Sequence, residues 1–431
     1  MKKLNICIAG LGNVGSHLIS TIEKNYELVK KKSSISFNIL GISAKNYNKK
    51  RIFNINKYNW CNSPLDLLKI KNCNVLIELI GEEKGISFEL VKKALESKIN
   101  VVTANKALLA KNGSELFDIA EKNDVLLLYE AAVAGGIPII KTLKNNIFLN
   151  SFKKFSGILN GTTNYILTTM LNENLSFNEV LSIAKSKGYT SDSESELDIG
   201  GLDSAHKLTL IASVCFGSKI NFSNNYVQGI SKITISDITN ANKLGFKIKL
   251  ISEVYLKNNQ IYCSTEPKLI EKKNPLANVD GVLNAINIET DQLKSLFLEG
   301  EGAGGKATAS SVISDLYEIY SNSNIPSLGY KNDRLLDYKK LDNNEVECPY
   351  YLKIMTKDIA GVLSKITGYL KDFDISVERI LQIPENNKLD SVTIIIFTHS
   401  IKKNKLLNVI ALIEKQDFIL EKISIISIDK N

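Results

Sequence analysis

The chain has 431 residues, 44% of them apolar and 23% charged, and a formal net charge of +8. Those values exclude a long disordered chain and a fibrous repeat, and the length provides for two or three domains. The positive charge comes from lysines spread along the chain, with arginine only at Arg51, Arg334 and Arg379, so no nucleic-acid partner is expected.

The six cysteines have no CxxC pair or disulfide-framework spacing, and the N-terminal residues carry no secretory pattern. The most apolar stretch, 125–140, holds Glu130, Gly135, Gly136 and Pro138, a set no membrane helix would carry. A cytoplasmic chain without a membrane partner is expected.

Residues 4–9, 35–42, 75–80, 101–103 and 125–129 are apolar runs of strand length, separated by amphipathic stretches such as 88–97 and 113–122. That rhythm predicts an α/β fold with a parallel, doubly wound sheet, a dinucleotide-binding Rossmann domain over 1–135. Directly after the first run comes Gly10-Leu11-Gly12-Asn13-Val14-Gly15, opening a helical pattern. The first glycine allows the tight turn, the second lets main-chain amides approach a pyrophosphate, and the third lets helix pack on strand. The second run ends Ile42-Ser43-Ala44-Lys45 with no acid for a ribose, and Lys49, Lys50 and Arg51 follow. Lys45 at that place favours NADP over NAD, with a solvated lysine-rich loop as the other reading. Thr103, Asn105 and Lys106 follow the fourth run at the carboxyl edge of the sheet, where ligands bind in this architecture; a surface cap would give the same pattern.

Glu130 opens a run through Pro138 that joins two domains. A carboxylate followed by kinked, free carbonyls can hold a monovalent cation; a rigid hinge with a buried, hydrogen-bonded glutamate fits equally. From 136 to 308 strand-like pieces (151–159, 226–230, 247–256, 261–265, 282–288) mix with helical ones (163–171, 178–186, 204–214), which predicts an α+β substrate domain. Asn160 and Thr162 lie where a strand passes into a helix, small polar residues suited to a polar ligand or to a helix cap. Residues 188–207 read as an acidic loop, with Gly188, Asp192, Glu194, Glu196 and Asp198, followed by a helix on which Asp203 and Lys207 share a face. A surface ion pair is the plain alternative for those two. His17, His206 and His399 share no metal-ligand spacing, so zinc chemistry and a serine-type triad are excluded. The helical segment 309–320 is expected to complete the first domain. A polar linker follows over 321–347, and 348–431 read as a separate βαββαβ unit, a ferredoxin-like sandwich with a hairpin loop after residue 383.

Taken together, GLGNVGS at Gly10, TANKALLA at Thr103, EAAVAGGIPII at Glu130, GILNGTTNYIL at Gly157, NPLANVDGVLNAI at Asn274 and GEGAGGKATASSVISDL at Gly300 strongly resemble homoserine dehydrogenase. The tail, with DIAGVL at Asp358, resembles an ACT domain, a regulatory appendage frequent in the monofunctional form of that family. The resemblance implies a nicotinamide-dependent interconversion of L-homoserine and L-aspartate 4-semialdehyde, serving threonine, methionine and isoleucine synthesis. It makes Lys207 the catalytic general acid/base, Asp203 its acidic partner and Lys106 the cofactor-side lysine, with Gly304 touching the cofactor. It also implies a sodium ion held by Glu130 and the carbonyls of Val133, Gly135 and Ile137, a homodimer or homotetramer, and threonine as effector at the ACT domain. The family's usual Gly-Tyr-x-Glu before Asp-Pro is altered here. Ser191 follows Thr190, the proline is missing, and counting back from Asp198 puts Asp192 in the place of the substrate-binding glutamate, with Glu194 as the other candidate.

Overall fold

The computed structural model describes residues 2–33, 35–321, 325–384 and 390–429. Its first sheet has six parallel strands: β1 (Lys2–Ala9), β2 (Ile35–Ser43), β3 (Asn59–Cys61), β4 (Val75–Glu78), β5 (Asn100–Thr103) and β6 (Leu127–Leu128). They lie in the order β3-β2-β1-β4-β5-β6, which is the doubly wound order of a dinucleotide-binding sheet. The strands read as continuous apolar runs because helices cover both faces: Ile6, Cys7, Ile8, Leu76 and Ile77 are fully buried. β3 is three residues of Asn-Trp-Cys at the sheet edge, too short to give a periodic signal.

Helix α1 (Asn13–Lys24) buries Leu18, Ile19 and Ile22 against this sheet. α2 (Ile86–Glu96) covers the other face. α3 (Lys106–Lys122) starts seven residues before the expected 113, because the Asn105 side chain accepts from the Leu108 amide and caps it.

The second sheet is mixed and eleven-stranded. β7 (Phe152–Ile158), β8 (Phe246–Lys257), β9 (Gln260–Glu271), β10 (Leu283–Thr290) and β11 (Leu296–Glu301) form one half, ordered β11-β10-β7-β8-β9. α4 (Gly161–Glu173), α5 (Asp192–Ile199) and α6 (Leu202–Phe216) belong to it. α6 is buried on every face from Ser204 to Phe216, so it runs through the core rather than over it. The stretch expected as an acidic loop is the helix α5, and that difference decides which acids face inward. α7 (Gly305–Tyr320) then returns to the first sheet. Its stripe of Ala309, Val312, Leu316 and Ile319 packs with Leu18, Ile19 and Ile22 of α1, as expected for the segment completing the dinucleotide domain.

The C-terminal residues do form a βαββαβ unit: β12 (Tyr350–Lys357), α8 (Val362–Asp372), β13 (Val377–Pro384), β14 (Ser391–Thr398), α9 (Lys403–Ile413) and β15 (Ser424–Asp429). The expected hairpin loop falls mostly on 385–389, outside the described residues. This unit is not separate. β15 pairs in parallel with β9, Lys268 opposite Ser427 and Ile270 opposite Asp429, so its four strands continue the second sheet in the order β15-β12-β14-β13. Nor is the preceding segment a free linker. Leu328 is buried, the Ser327 hydroxyl accepts from the Leu127 amide, and Lys339–Lys340 pair with β9. No helix among the described residues is long and apolar enough to cross a membrane.

Candidate active site

The glycine turn is built by close approach. Gly10 has φ +99°, and a Cβ there would sit 2.4 Å from the Leu79 carbonyl carbon; one on Gly15 would sit 2.1 Å from the Gly10 oxygen. Gly12, the N-cap of α1, faces open space. A tight turn below and room above, at a helix N-terminus, fit a dinucleotide pyrophosphate. Gly305 packs so closely on this loop that a Cβ would meet Asn13 Oδ1 and His17, which places Gly304, φ +117°, beside it. Lys45 is exposed in the loop after β2. Arg51 folds that loop by donating to the carbonyls of Asn46, Tyr47 and Lys49.

At the carboxyl ends of β4 and β5 lies a residue that the sequence reading passed over. Glu78 is fully buried and accepts from the Thr103 hydroxyl (2.6 Å) and from the amides of Ile80 and Gly81. Thr103 Oγ1 in turn accepts from the Asn105 amide, and Asn105 Nδ2 donates to the Glu82 carbonyl. One carboxylate thus ties the 79–82 loop to the start of α3, and so to Lys106. An acid ending an otherwise apolar buried strand, Val-Leu-Ile-Glu, was the available signal. Glu78→Gln is expected to weaken NADPH binding and turnover together, by about tenfold each, because loss of one buried charged hydrogen bond costs about 1.5–3 kcal/mol. Paired titrations of fluorescence and rate would check this.

Asp203 joins the two halves of the molecule. Its Oδ1 lies 3.0 Å from Lys106 Nζ, and its Oδ2 accepts from Lys207 Nζ (2.8 Å) and Asn160 Nδ2 (3.0 Å). Burial opposes its charge, but the two lysines outweigh that and hold the carboxyl far below the usual carboxylate range. The Asp203 charge in return raises Lys106. Lys207 Nζ also donates to the Leu159 carbonyl at 2.6 Å. Asn160 donates to Asp198 as well, and Thr190 donates to the same carboxylate. Burial, then the charge of Asp203, raise Asp198. Thr162 donates to the Tyr189 carbonyl and so holds the turn at Gly188. The expected residues Lys106, Asp203, Lys207, Asn160 and Asp198 therefore lie in one network, and Thr162 holds the neighbouring turn.

Asp192 does not join it. Its side chain is 94% exposed and paired with Lys185, on the far side of α5. Residues 194 and 198 are one helical turn apart and share a face, whereas 192 points elsewhere. Of the α5 acids Asp198 acts on Lys106 before Glu194 does, and Glu194 is exposed and accepts from the Ser191 hydroxyl. Counting back along an extended loop gives Asp192; on the helix it is Glu194 that shares a face with Asp198.

Around Glu130, each carboxylate oxygen accepts an amide, from Ile140 and Lys141, while its own N–H donates to Asp315. The Gly135 carbonyl accepts from Ser311 and that of Ile137 from the Ile139 amide. The Glu130 carboxylate and the Gly135 and Ile137 carbonyls of this run thus each have a donor within the chain. Burial, then the nearby Asp315 charge, push Glu130 up to about 7. The folded state thus keeps a proton that the unfolded chain has lost, and stability falls as pH rises from the ordinary carboxylate range through about 7. Relative to Glu130→Gln, the wild-type unfolding midpoint is expected to fall between about pH 5 and about pH 8, as calorimetry would show.

A glycine-rich βα turn at the carboxyl end of a central strand of a doubly wound sheet, with a lysine–aspartate–lysine network joining that domain to a second one, defines a nicotinamide-dependent oxidoreductase. Sequence profiles then match the homoserine dehydrogenase NAD-binding domain over residues 10–130 and homoserine dehydrogenase over 138–317. A homoserine dehydrogenase of Neisseria gonorrhoeae is 35% identical over 437 aligned residues, covering 100% of this chain and 99% of that protein. The crystal structure of one from Thiobacillus denitrificans superposes with a TM-score of 0.91 at 32% identity, covering 100% of this chain and 99% of its own. A hyperthermophilic archaeal homoserine dehydrogenase in complex with NADPH covers 75% of this chain and 99% of its own, with TM-score 0.62 and 25% identity. The chain belongs to the homoserine dehydrogenase family and is an NAD(P)-dependent oxidoreductase.

Proposed function

We propose that the chain interconverts L-homoserine and L-aspartate 4-semialdehyde, with Lys207 as general acid/base. The observation that carries this is the donor count at Lys207. Leu159 and Asp203 take two of the three ammonium hydrogens, which leaves one for a substrate oxygen. The nicotinamide cofactor supplies or accepts the hydride. In reduction Lys207 protonates the oxygen that was the aldehyde carbonyl; in oxidation its neutral amine takes the hydroxyl proton as the hydride leaves. Lys106 supplies a second positive charge on the cofactor side, and Asp203 keeps both lysines in place. Asp198 and Glu194 face the substrate ammonium, while Asn160, Thr162 and the turn at Gly188 shape the pocket. Oxidation of NADPH by purified protein with aspartate semialdehyde, followed by absorbance, tests the reading; no turnover with NADPH still bound would overturn it.

Glu194→Gln is expected to raise the homoserine KM about tenfold, and Asp192→Asn to leave it unchanged; steady-state kinetics of the two variants decide between the positions.

For the cofactor we assign NADP, with NAD as the weaker substitute. The loop of Lys45 and Arg51, without an acid, supports this, as does the NADPH complex of the archaeal relative. Lys45→Glu is expected to raise the KM for NADPH about tenfold and to leave that for NADH nearly unchanged. A sodium ion at Glu130, Val133, Gly135 and Ile137 would have to share the oxygens of Glu130, Gly135 and Ile137 with the hydrogen bonds they already accept. Replacing sodium by choline at equal ionic strength should lower kcat/KM only if such an ion completes the hinge.

The reading divides the chain into a dinucleotide domain (1–135 with α7), a substrate domain (136–308), a connecting segment (321–347) and an ACT domain (348–431). The order β15-β12-β14-β13 of the C-terminal unit, that of a ferredoxin-like sheet, supports the last assignment. A cavity of about 210 Å³ against the turn at Gly361, φ +90°, supports threonine as its effector, tested by inhibition of turnover. Among the described residues β11 and β13 are the edge strands of the sheet, which supports a homodimer or homotetramer; light scattering measures it.

A further inference from the structure

Strand β10 carries a fully buried carboxamide that its surroundings leave unsatisfied. Asn284 is 0% exposed, and neither its Oδ1 nor its Nδ2 has a hydrogen-bond partner among the described residues. A leucine of about the same size would fill the place without that penalty, so burial alone does not account for an amide there.

The residue stands between the two ends of the site. Asn284 is opposite Gly300 of β11, and the next residue, Ala285, is opposite Ile158 of β7. Just before it, the Leu283 carbonyl accepts from Asn164 of α4, and a Cβ on Gly161 would come within 2.5 Å of the Val282 carbonyl oxygen. On its other side the carboxamide covers Gly302. A Cβ there would fall 1.9 Å from the amide carbon, 2.0 Å from Nδ2 and 2.3 Å from Oδ1, so the face of the amide, not an edge, is turned to the glycine. The near end of this turn is fixed, because a Cβ on Gly135 would meet the Gly302 carbonyl carbon at 2.5 Å and the Gly136 amide donates to the Glu301 carbonyl. Ala303 and Gly304 are exposed, and Gly305 packs on Asn13 and His17 of the dinucleotide loop.

An amide makes its hydrogen bonds near its own plane, so a face-on carboxamide touches this turn without bonding it. The peptides around Ala303 lie between two glycines, where rotation is least restricted. Rotation of either one brings an N–H or a carbonyl to an edge of the carboxamide. We propose that Asn284 is a positioning residue for the cofactor: its carboxamide is held for the main chain of the Gly302–Gly304 turn, which rotates onto it when the nicotinamide dinucleotide seats against Gly304. This rests on Gly304 meeting the cofactor, as read above. The bond closes only in the bound state, so the cost of the unpartnered amide in the free protein is recovered on binding. Because β10 also abuts Gly161 and pairs with β7, the seated cofactor is held in register with the strand that leads into Leu159, the acceptor of Lys207.

Thermal unfolding of the full-length protein with and without NADPH, together with a fluorescence titration of NADPH, tests this. Asn284→Leu is expected to leave the midpoint of the free protein unchanged or raised, because an unpartnered polar group is gone. Its dissociation constant for NADPH should rise about tenfold. At about a hundredfold excess over the wild-type constant, the NADPH-induced shift then falls to about half. The KM for aspartate semialdehyde should stay within about twofold of wild type. A packing role predicts the reverse, a lower midpoint in the free protein with an unchanged dissociation constant, and that result overturns the proposal. Asn284→Ala combined with Gly302→Ala puts a Cβ where the amide was, and it decides the matter should the leucine variant not fold. About tenfold weaker NADPH binding is expected there too, and wild-type binding would overturn the proposal. If NADPH does not shift even the wild type, the cofactor reading falls as well, whereas a wild-type shift kept in full by the variants removes only the role of Asn284.

Discussion

Lys207→Met is expected to lower kcat by about a thousandfold or more while the dissociation constant for NADPH stays within about twofold of wild type. Methionine keeps the length and the apolar stem but has no proton to exchange, and the Leu159 carbonyl and Asp203 Oδ2 lose their donor. Position 207 lies on α6, across the network from the glycine turn, so the cofactor pocket has no reason to change. Stopped-flow rates and a fluorescence titration on one preparation separate the two effects. Residual turnover above about a tenth of wild type would remove Lys207 from proton transfer. Lys207→Arg should rescue little, since a guanidinium does not deprotonate at working pH.

The second large effect is expected at Asp203. Asp203→Asn keeps the shape but removes the charge between Lys106 and Lys207, so two half-buried or buried ammonium groups lose their shared counter-ion. Breaking such a pair from one side is costly, and kcat/KM is expected to fall about a hundredfold or more. The pH profile distinguishes this from a structural loss. The charge of Asp203 is what raises Lys106 most, so in the variant Lys106 gives up its proton at lower pH, and the alkaline limb of kcat/KM moves down with it. The stability effect has the opposite sign of pH dependence from that at Glu130. The folded carboxyl of Asp203 is depressed, so its contribution is present above the ordinary carboxylate range and is lost as pH falls below it. Wild-type stability should therefore fall more steeply as pH drops below the ordinary carboxylate range than that of the variant, which lacks this component.

The elements read correctly are those whose signal is local and repeated. The apolar runs of β1, β2, β4 and β5 are bounded by turn residues, and they lie in a sheet covered on both sides, where a continuous run is what burial requires. The stripe of α7 at Ala309, Val312, Leu316 and Ile319 is legible for the same reason. The elements missed are short, as β3 is, or polar, as α5 is: with Ser, Asp and Glu at most positions, α5 has no apolar periodicity to show.

In the site, the sequence by itself determined which residue types were available and where the turn for a dinucleotide lies, because a glycine at a positive φ and a close backbone contact are local requirements. It also marked Asp203 and Lys207 as sharing a helix face. Only the tertiary structure decided that this pair is buried and extended by Lys106 and Asn160, because three separate segments, 106, 160 and 203–207, converge on one carboxylate. The same holds for Asp192, which helical geometry turns out to solvent, and for Glu78, whose partner Thr103 lies 25 residues away along the chain. It holds again for the join of β9 to β15, where strand pairing across more than a hundred and fifty residues turns a tail expected to stand alone into part of the catalytic sheet. Hydrogen bonding and charge pairing between distant segments leave no periodic trace in a sequence, and that is where the sequence stopped being informative.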